Sequence, residues 1–69
     1  MIHPLAVVAA GAQVTETVTV GPFVVLEDDV TVGANSVLLP GTVLHAGSRV
    51  GRGCRLGPYA VVGGEPMDS

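Results

Sequence analysis

Lysine and tryptophan are absent from this 69-residue chain, which holds one cysteine, one tyrosine and one phenylalanine. Without lysine there is no phosphate-cradling P-loop, because that motif needs an amine to reach the phosphates. A single cysteine excludes an intramolecular disulfide, and a lone thiol suits a reducing compartment. A chain this short with no disulfide has a marginal core, so metal binding or association is the natural source of further stability. Cations are as scarce as aromatics. Three arginines stand against six carboxylates, for a net charge of -3. That balance repels phosphate, and one Phe with one Tyr make a poor base-stacking surface, which argues against nucleic acid as a partner. No apolar run nears the ~20 residues that cross a bilayer. The opening MIHPLAVVAAGA lacks the basic start of a secretory signal and is interrupted at Pro4. The expectation is a soluble, cytoplasmic chain with no membrane insertion and no cofactor.

What is present is a repeat, and repeats govern everything else in such a chain. Stepping by six from Ile2 gives Val8, Val14, Val20, Leu26, Val32, Leu38, Leu44, Val50, Leu56 and Val62, all aliphatic. Four places after each stands a small or β-branched residue, from Ala6 and Ala12 through Val18, Val24 and Val30 to Ser36, Thr42, Ser48, Cys54 and Ala60. Only Pro66 departs from that column. Turn formers fall three places after the aliphatic at Gly11, Asp29, Asn35, Gly41, Gly47 and Gly53. Strand residues two apart face the same way, so the small residue and the next aliphatic point together to the interior. The intervening third and fourth positions must turn, which favours Pro, Gly, Asn and Asp. Such a strict count fits a coil of triangular cross-section, with one hexapeptide per side and closure every eighteen residues. Pro4, Pro22, Pro40 and Pro58 then mark one corner of successive coils. The fold class is all-β: a parallel β-helix of nearly four coils, three hexapeptides per coil, forming one domain over residues 1–69 with no helical cap. In this register Cys54 is a small interior residue rather than a nucleophile.

The outward positions form columns. Val7, Val25, Val43 and Val61 share one side, whereas the other two sides carry Gln13, Thr31, Arg49, Met67 and Thr19, Val37, Arg55. One wholly apolar side on a triangular prism predicts a contact surface, and a threefold ring would satisfy it. These four valines are therefore the candidate trimer interface. Glu27 and His45 fall in one column beside them and are placed to pair. His3 belongs to another side, so the two histidines share no metal site, and a metal needs more ligands than that. Arg49, Arg52 and Arg55 form a solvated rim. No Ser–His–Asp or paired-carboxylate arrangement is compelling, and no catalytic residue is assigned.

The array [aliphatic]-Gly-x-x-[small]-x, with IHPLAVV at 2–8, VGPFVVL at 20–26, VGRG at 50–53 and VVGGEPMD at 61–68, resembles the left-handed β-helix hexapeptide-repeat acyltransferases. The likeness is strongest to the N-terminal part of the UDP-N-acetylglucosamine O-acyltransferases of lipid A synthesis. Left-handedness enters only through that resemblance, since the general crossover preference is right-handed. The resemblance implies a homotrimer with active sites between subunits. A histidine there acts as general base on the sugar 3-hydroxyl, and acyl carrier protein delivers the acyl chain. It also implies that this chain is an N-terminal fragment, with that histidine downstream and neither His3 nor His45 matching it. Asp68 matches an aspartate that approaches the sugar nucleotide and is the one candidate substrate-binding residue, although Met67 stands where the family has glutamine. Two alternatives use the same fold: a stand-alone trimeric scaffold without enzymatic activity, and another hexapeptide enzyme. Among the latter, a carbonic anhydrase of this fold would need three zinc histidines, and the chain has two. With no cap over the C-terminal coils, end-to-end association of trimers is a further expectation.

Overall fold

Each hexapeptide makes one short strand and one corner. The structure, a computed structural model, describes residues 1–63. Its ten two-residue strands are β1 (Val7–Val8), β2 (Gln13–Val14), β3 (Thr19–Val20), β4 (Val25–Leu26), β5 (Thr31–Val32), β6 (Val37–Leu38), β7 (Val43–Leu44), β8 (Arg49–Val50), β9 (Arg55–Leu56) and β10 (Val61–Val62). Each of β1 to β7 pairs in parallel with the strand three later, giving sheets β1-β4-β7-β10, β2-β5-β8 and β3-β6-β9. The register is eighteen throughout, as in Val7↔Val25, Val25↔Val43 and Val43↔Val61. The described residues thus form a parallel β-helix of three complete coils with the first side of a fourth. Ile2 adds a rung before β1 by bridging to Val20.

The regular strands are only two residues long, but the backbone ladder reaches beyond them. Val25 N–H donates to the Thr42 carbonyl (2.9 Å) and Glu27 N–H to the Leu44 carbonyl (3.0 Å), bracketing β4. Corners interrupt regular pairing on either side. Several of them close with a bond from the small residue back to the carbonyl three before it, such as Thr42 N–H to Leu39 (3.3 Å) and Ser48 N–H to His45 (3.1 Å). From Phe23 onward the fourth place of each hexad has positive φ, from Phe23 (61°), Asp29 (61°) and Asn35 (63°) to Gly41 (81°) and Gly47 (86°). Proline second and a left-handed third residue define a type II turn, as in Leu39-Pro40-Gly41-Thr42.

Among the described residues, all nine buried apolar side chains occupy the two inward positions. Val20, Leu26, Val32, Leu38, Leu44 and Val50 come from the aliphatic column, and Val18, Val24 and Val30 from the small one. Where that small column switches to hydroxyls, each buried oxygen donates to a nearby backbone carbonyl: Ser36 to Gly51 (2.7 Å), Thr42 to Leu39 (2.8 Å) and Ser48 to His45 (2.6 Å). A methyl-sized side chain fits there, and a hydroxyl costs nothing when paired in this way. Cys54 is half-buried and packs against the core, in line with a structural role. Burial falls toward both ends, so Leu44 is fully enclosed whereas Val8, Val14, Leu56 and Val62 are only partly covered.

The second place of the hexad differs from coil to coil. A Cβ on Gly33 would lie 2.7 Å from the backbone of Gly51 and Arg52 in the next coil, whereas one on Gly51 would meet only Cys54 Sγ at 3.8 Å. Backbone cannot step aside without breaking the ladder. Gly33→Ala should therefore lower the unfolding free energy by about 1–3 kcal/mol, as overpacking does. Gly51→Ala should stay within about 0.5 kcal/mol of the parent. Urea denaturation of the two variants checks the contrast.

Candidate functional site

The sheet β1-β4-β7-β10 presents the valine column to the outside. Val7 and Val61 are 61% and 65% exposed, and Val25 and Val43, between them, are half-buried. The sequence reading of these four as one aligned surface column is what the register shows. At the opposite edge of this side the outward column is Ala9, Glu27, His45 and Gly63. Glu27 Oε1 lies 3.3 Å from His45 Nδ1 and accepts the Ala46 N–H at 2.9 Å. Both side chains remain about half exposed. The Ala46 backbone bond, and after it the contact with His45, holds the Glu27 carboxyl below its ordinary pKa.

A second apolar element was not singled out in the sequence. The corner that opens the valine side carries Leu5, Phe23, Gly41 and Tyr59, each two residues before a valine. Leu5, Phe23 and Tyr59 are 55%, 64% and 76% exposed. These residues stack through backbone bonds from Phe23 N–H to the Leu5 carbonyl (3.3 Å), Gly41 N–H to Pro22 (3.1 Å) and Tyr59 N–H to Pro40 (3.0 Å). Stepping by eighteen from the fourth place of the first hexad would have found the row. That place was read only for turn formers, a class to which Phe and Tyr do not belong.

The other candidates fall elsewhere. Asp68 lies outside the described residues. His3 sits on a different side, where its Nδ1 accepts the Leu5 N–H at 3.0 Å. It helps line an open apolar hollow together with Met1, Ile2 and Val20. The three arginines do not act as one cluster. Arg49 bonds Asp29 at its carboxylate (3.0 Å) and its backbone carbonyl, leaving Arg52 and Arg55 as exposed neighbours on the last coil. Among the described residues no three His, Cys, Asp or Glu side chains converge on a metal-sized point. No helix there is long and apolar enough to cross a membrane. What the described surface offers is an apolar side with an apolar corner, and an acid–imidazole pair at its far edge.

Comparison with known proteins places this geometry. Residues 29–64 match the bacterial transferase hexapeptide family (six repeats). Among relatives, the acyl-[acyl-carrier-protein]–UDP-N-acetylglucosamine O-acyltransferase of Rhizobium johnstonii is 43% identical over 66 residues, covering 96% of this chain and 24% of that protein. Those of Brucella anthropi and Psychrobacter sp. are 34% and 33% identical over 68 and 67 residues, covering 24% and 26% of their own lengths. The chain thus spans about a quarter of the length of the curated relatives it matches.

The Glu27 pair has a pH signature whose sign follows from the lowered pKa. A carboxyl held down in the folded state stabilises it above the unfolded pKa, about 4.3 for glutamate, and that contribution fades as pH falls through the folded value. Between about pH 6 and pH 3, Glu27→Gln should therefore flatten the acid-side loss of melting temperature. Equal slopes for parent and variant would show that the contact has no thermodynamic weight.

Proposed function

The chain belongs to the bacterial transferase hexapeptide family, and from that premise we propose that it serves as the opening β-helix segment of a lipid A pathway acyltransferase. The reaction proposed for the whole protein moves an acyl chain from acyl carrier protein to the 3-hydroxyl of UDP-N-acetylglucosamine in the cytoplasm. The observation that supports this most is a likeness to such acyltransferases over 96–99% of the chain, on a fold whose coils keep one register from end to end. In this reading the segment's task is assembly. The valine side joins three copies, and the clefts between subunits are where substrates would lie, with Asp68 contributing to the sugar nucleotide.

A sugar hydroxyl is a poor nucleophile until a positioned base takes its proton. We assign neither described histidine to that work. His45 faces Glu27 on an exposed edge, and His3 turns its Nδ1 toward its own backbone. The proposal is that the 69 residues assemble without transferring acyl groups. A stand-alone trimeric scaffold remains the second reading, supported by the same apolar side.

Two measurements test this. Burying one valine contributes about 1.5 kcal/mol or more, and ring closure repeats the gain at each contact. Val43→Asp, in the middle of the column, should give monomer or unfolded chain by light scattering, and an unchanged trimer would remove this side from the interface. Incubation with an acyl carrier protein thioester and UDP-N-acetylglucosamine should show no turnover above background. Turnover abolished by His45→Ala would instead make His45 the base.

A further inference from the structure

Five of the seven large apolar side chains exposed among the described residues lie along one edge of the prism: Leu5, Val7, Phe23, Tyr59 and Val61. The other two, Met1 and Ile2, belong to the first rung. We propose that the Leu5–Phe23–Tyr59 corner is a ridge that packs onto the valine side of a second copy of this chain, so that each subunit donates its ridge to one neighbour and receives a ridge from the other. The inference rests on the trimer reading and supplies the half of the contact which that reading leaves blank.

Ring closure calls for that half. A cyclic trimer is held by heterologous contacts, in which one patch of a subunit meets a different patch of the next. The valine side alone is a single patch. The corner beside it is the second, convex where the valine side is flat, and it adjoins that side in every coil.

Backbone conformation supplies an independent observation. Phe23 and Tyr59 have φ of 61° and 60°, a left-handed conformation that costs an L-residue roughly 1–2 kcal/mol and is an outlier for a bulky side chain. Asp29, Asn35, Gly41, Gly47 and Gly53 fill the equivalent corners with residues that tolerate it better. The aromatic ring of Phe23 stays mostly exposed, at 64%. The ring of Tyr59 is laid over Gly41, where a Cβ would come within 2.2 Å of it, so its orientation is set before any partner arrives.

Area and charge point to a copy of the same chain. An aromatic side chain offers roughly 150–250 Å². With Leu5, Val7 and Val61 all more than half exposed, the edge presents several hundred Å² of apolar surface. That is the scale of the ~800 Å² each partner buries in a standard interface. Two copies of a chain with net charge -3 repel each other, yet neither the ridge nor the valine column carries a charged residue. Glu16, Asp28, Asp29 and the three arginines stand on other corners and sides, and Glu27 lies on the valine side only at its far edge, beside His45. Copies meeting ridge to valine side therefore bring no like charges face to face.

Glycine is the discriminating substitution, because it removes the ring and relieves the backbone together. Phe23→Gly and the double variant Phe23→Gly/Tyr59→Gly of the 69-residue chain would be followed by sedimentation velocity across a concentration series, with circular dichroism melts. Loss of a central aromatic anchor should raise the concentration for half-assembly about tenfold or more, with the strand spectrum retained. If Phe23→Gly fails to fold, Phe23→Asn repeats the test with a residue that accepts the left-handed region, as Asn35 does. Assembly unchanged in the ridge variants but lost in Val43→Asp would overturn the ridge and keep the valine side. Assembly unchanged in all of them, or a parent chain that is monomeric at every concentration, would overturn both.

Discussion

The backbone ladder between successive coils is the constraint on which every other feature depends. Each side hydrogen-bonds to the side eighteen residues later, and all seven strand pairings keep that one register. Side chains alternate with period two, so a slip of one residue would turn the aliphatic column outward and bring Val25, Thr31 or Arg49 in. Corners forbid longer slips as well. The chain can bend only where Pro, Gly or a left-handed residue allows it, and those places recur at the same interval as the ladder. Core, corners and outward columns are thus consequences of a single repeat length. An insertion of one residue would shift all of them together.

Much of this was legible because the repeat converts three-dimensional neighbours into fixed sequence steps. The nine enclosed apolar residues sit in the two columns read as inward. Glu27 and His45, eighteen apart, meet across adjacent coils as the column implies. What escaped notice has physical causes. Arg49 reaches Asp29, twenty residues earlier, because a long guanidinium spans from a strand to the corner of the preceding coil, and column arithmetic does not encode side-chain reach. The corner aromatics escaped because turn propensity selects Gly, Asn and Asp at positive φ. That rule picks out Gly11, whose φ is not positive, and passes over Phe23 and Tyr59, whose φ values are. Propensity is a statement about local cost, and tertiary context sets it aside where the stacked corner holds the backbone for other reasons.

The surface is divided as sharply as the interior. Hydroxyls and charges are spread over two sides of the prism and their corners, whereas the third side is apolar along its opening corner and valine column and carries Glu27 and His45 at its far edge. In a repeat protein each unit contacts only its neighbours along the axis, so lateral faces are free to diverge without disturbing the stack. An apolar column on one face leaves the ladder untouched, since Val, Thr and Arg all occupy outward strand positions equally well. Lateral chemistry is therefore where such a chain can carry specificity, and the length of the stack is where it carries stability.

The corner row Leu5, Phe23, Gly41, Tyr59 shows how these two demands meet at single residues. Gly41 is the member of the row best suited to its backbone, with φ near 81° and no Cβ to strain. It is also the one place in the row where a side chain could not stand, because the Tyr59 ring already occupies the space above it. The glycine therefore serves packing as much as conformation. Had local cost governed the row, glycine would be cheaper at Phe23 and Tyr59 too, by about the 1–2 kcal/mol of a left-handed L-residue. The chain instead carries that strain on two exposed rings and spares it at the position between them. An exposed ring gains little from water, so the compensation must lie in what the ring touches. For Tyr59 part of it is the backbone of Gly41. For Phe23, 64% exposed in the monomer, the proposed contact of the ridge with a second copy would supply it.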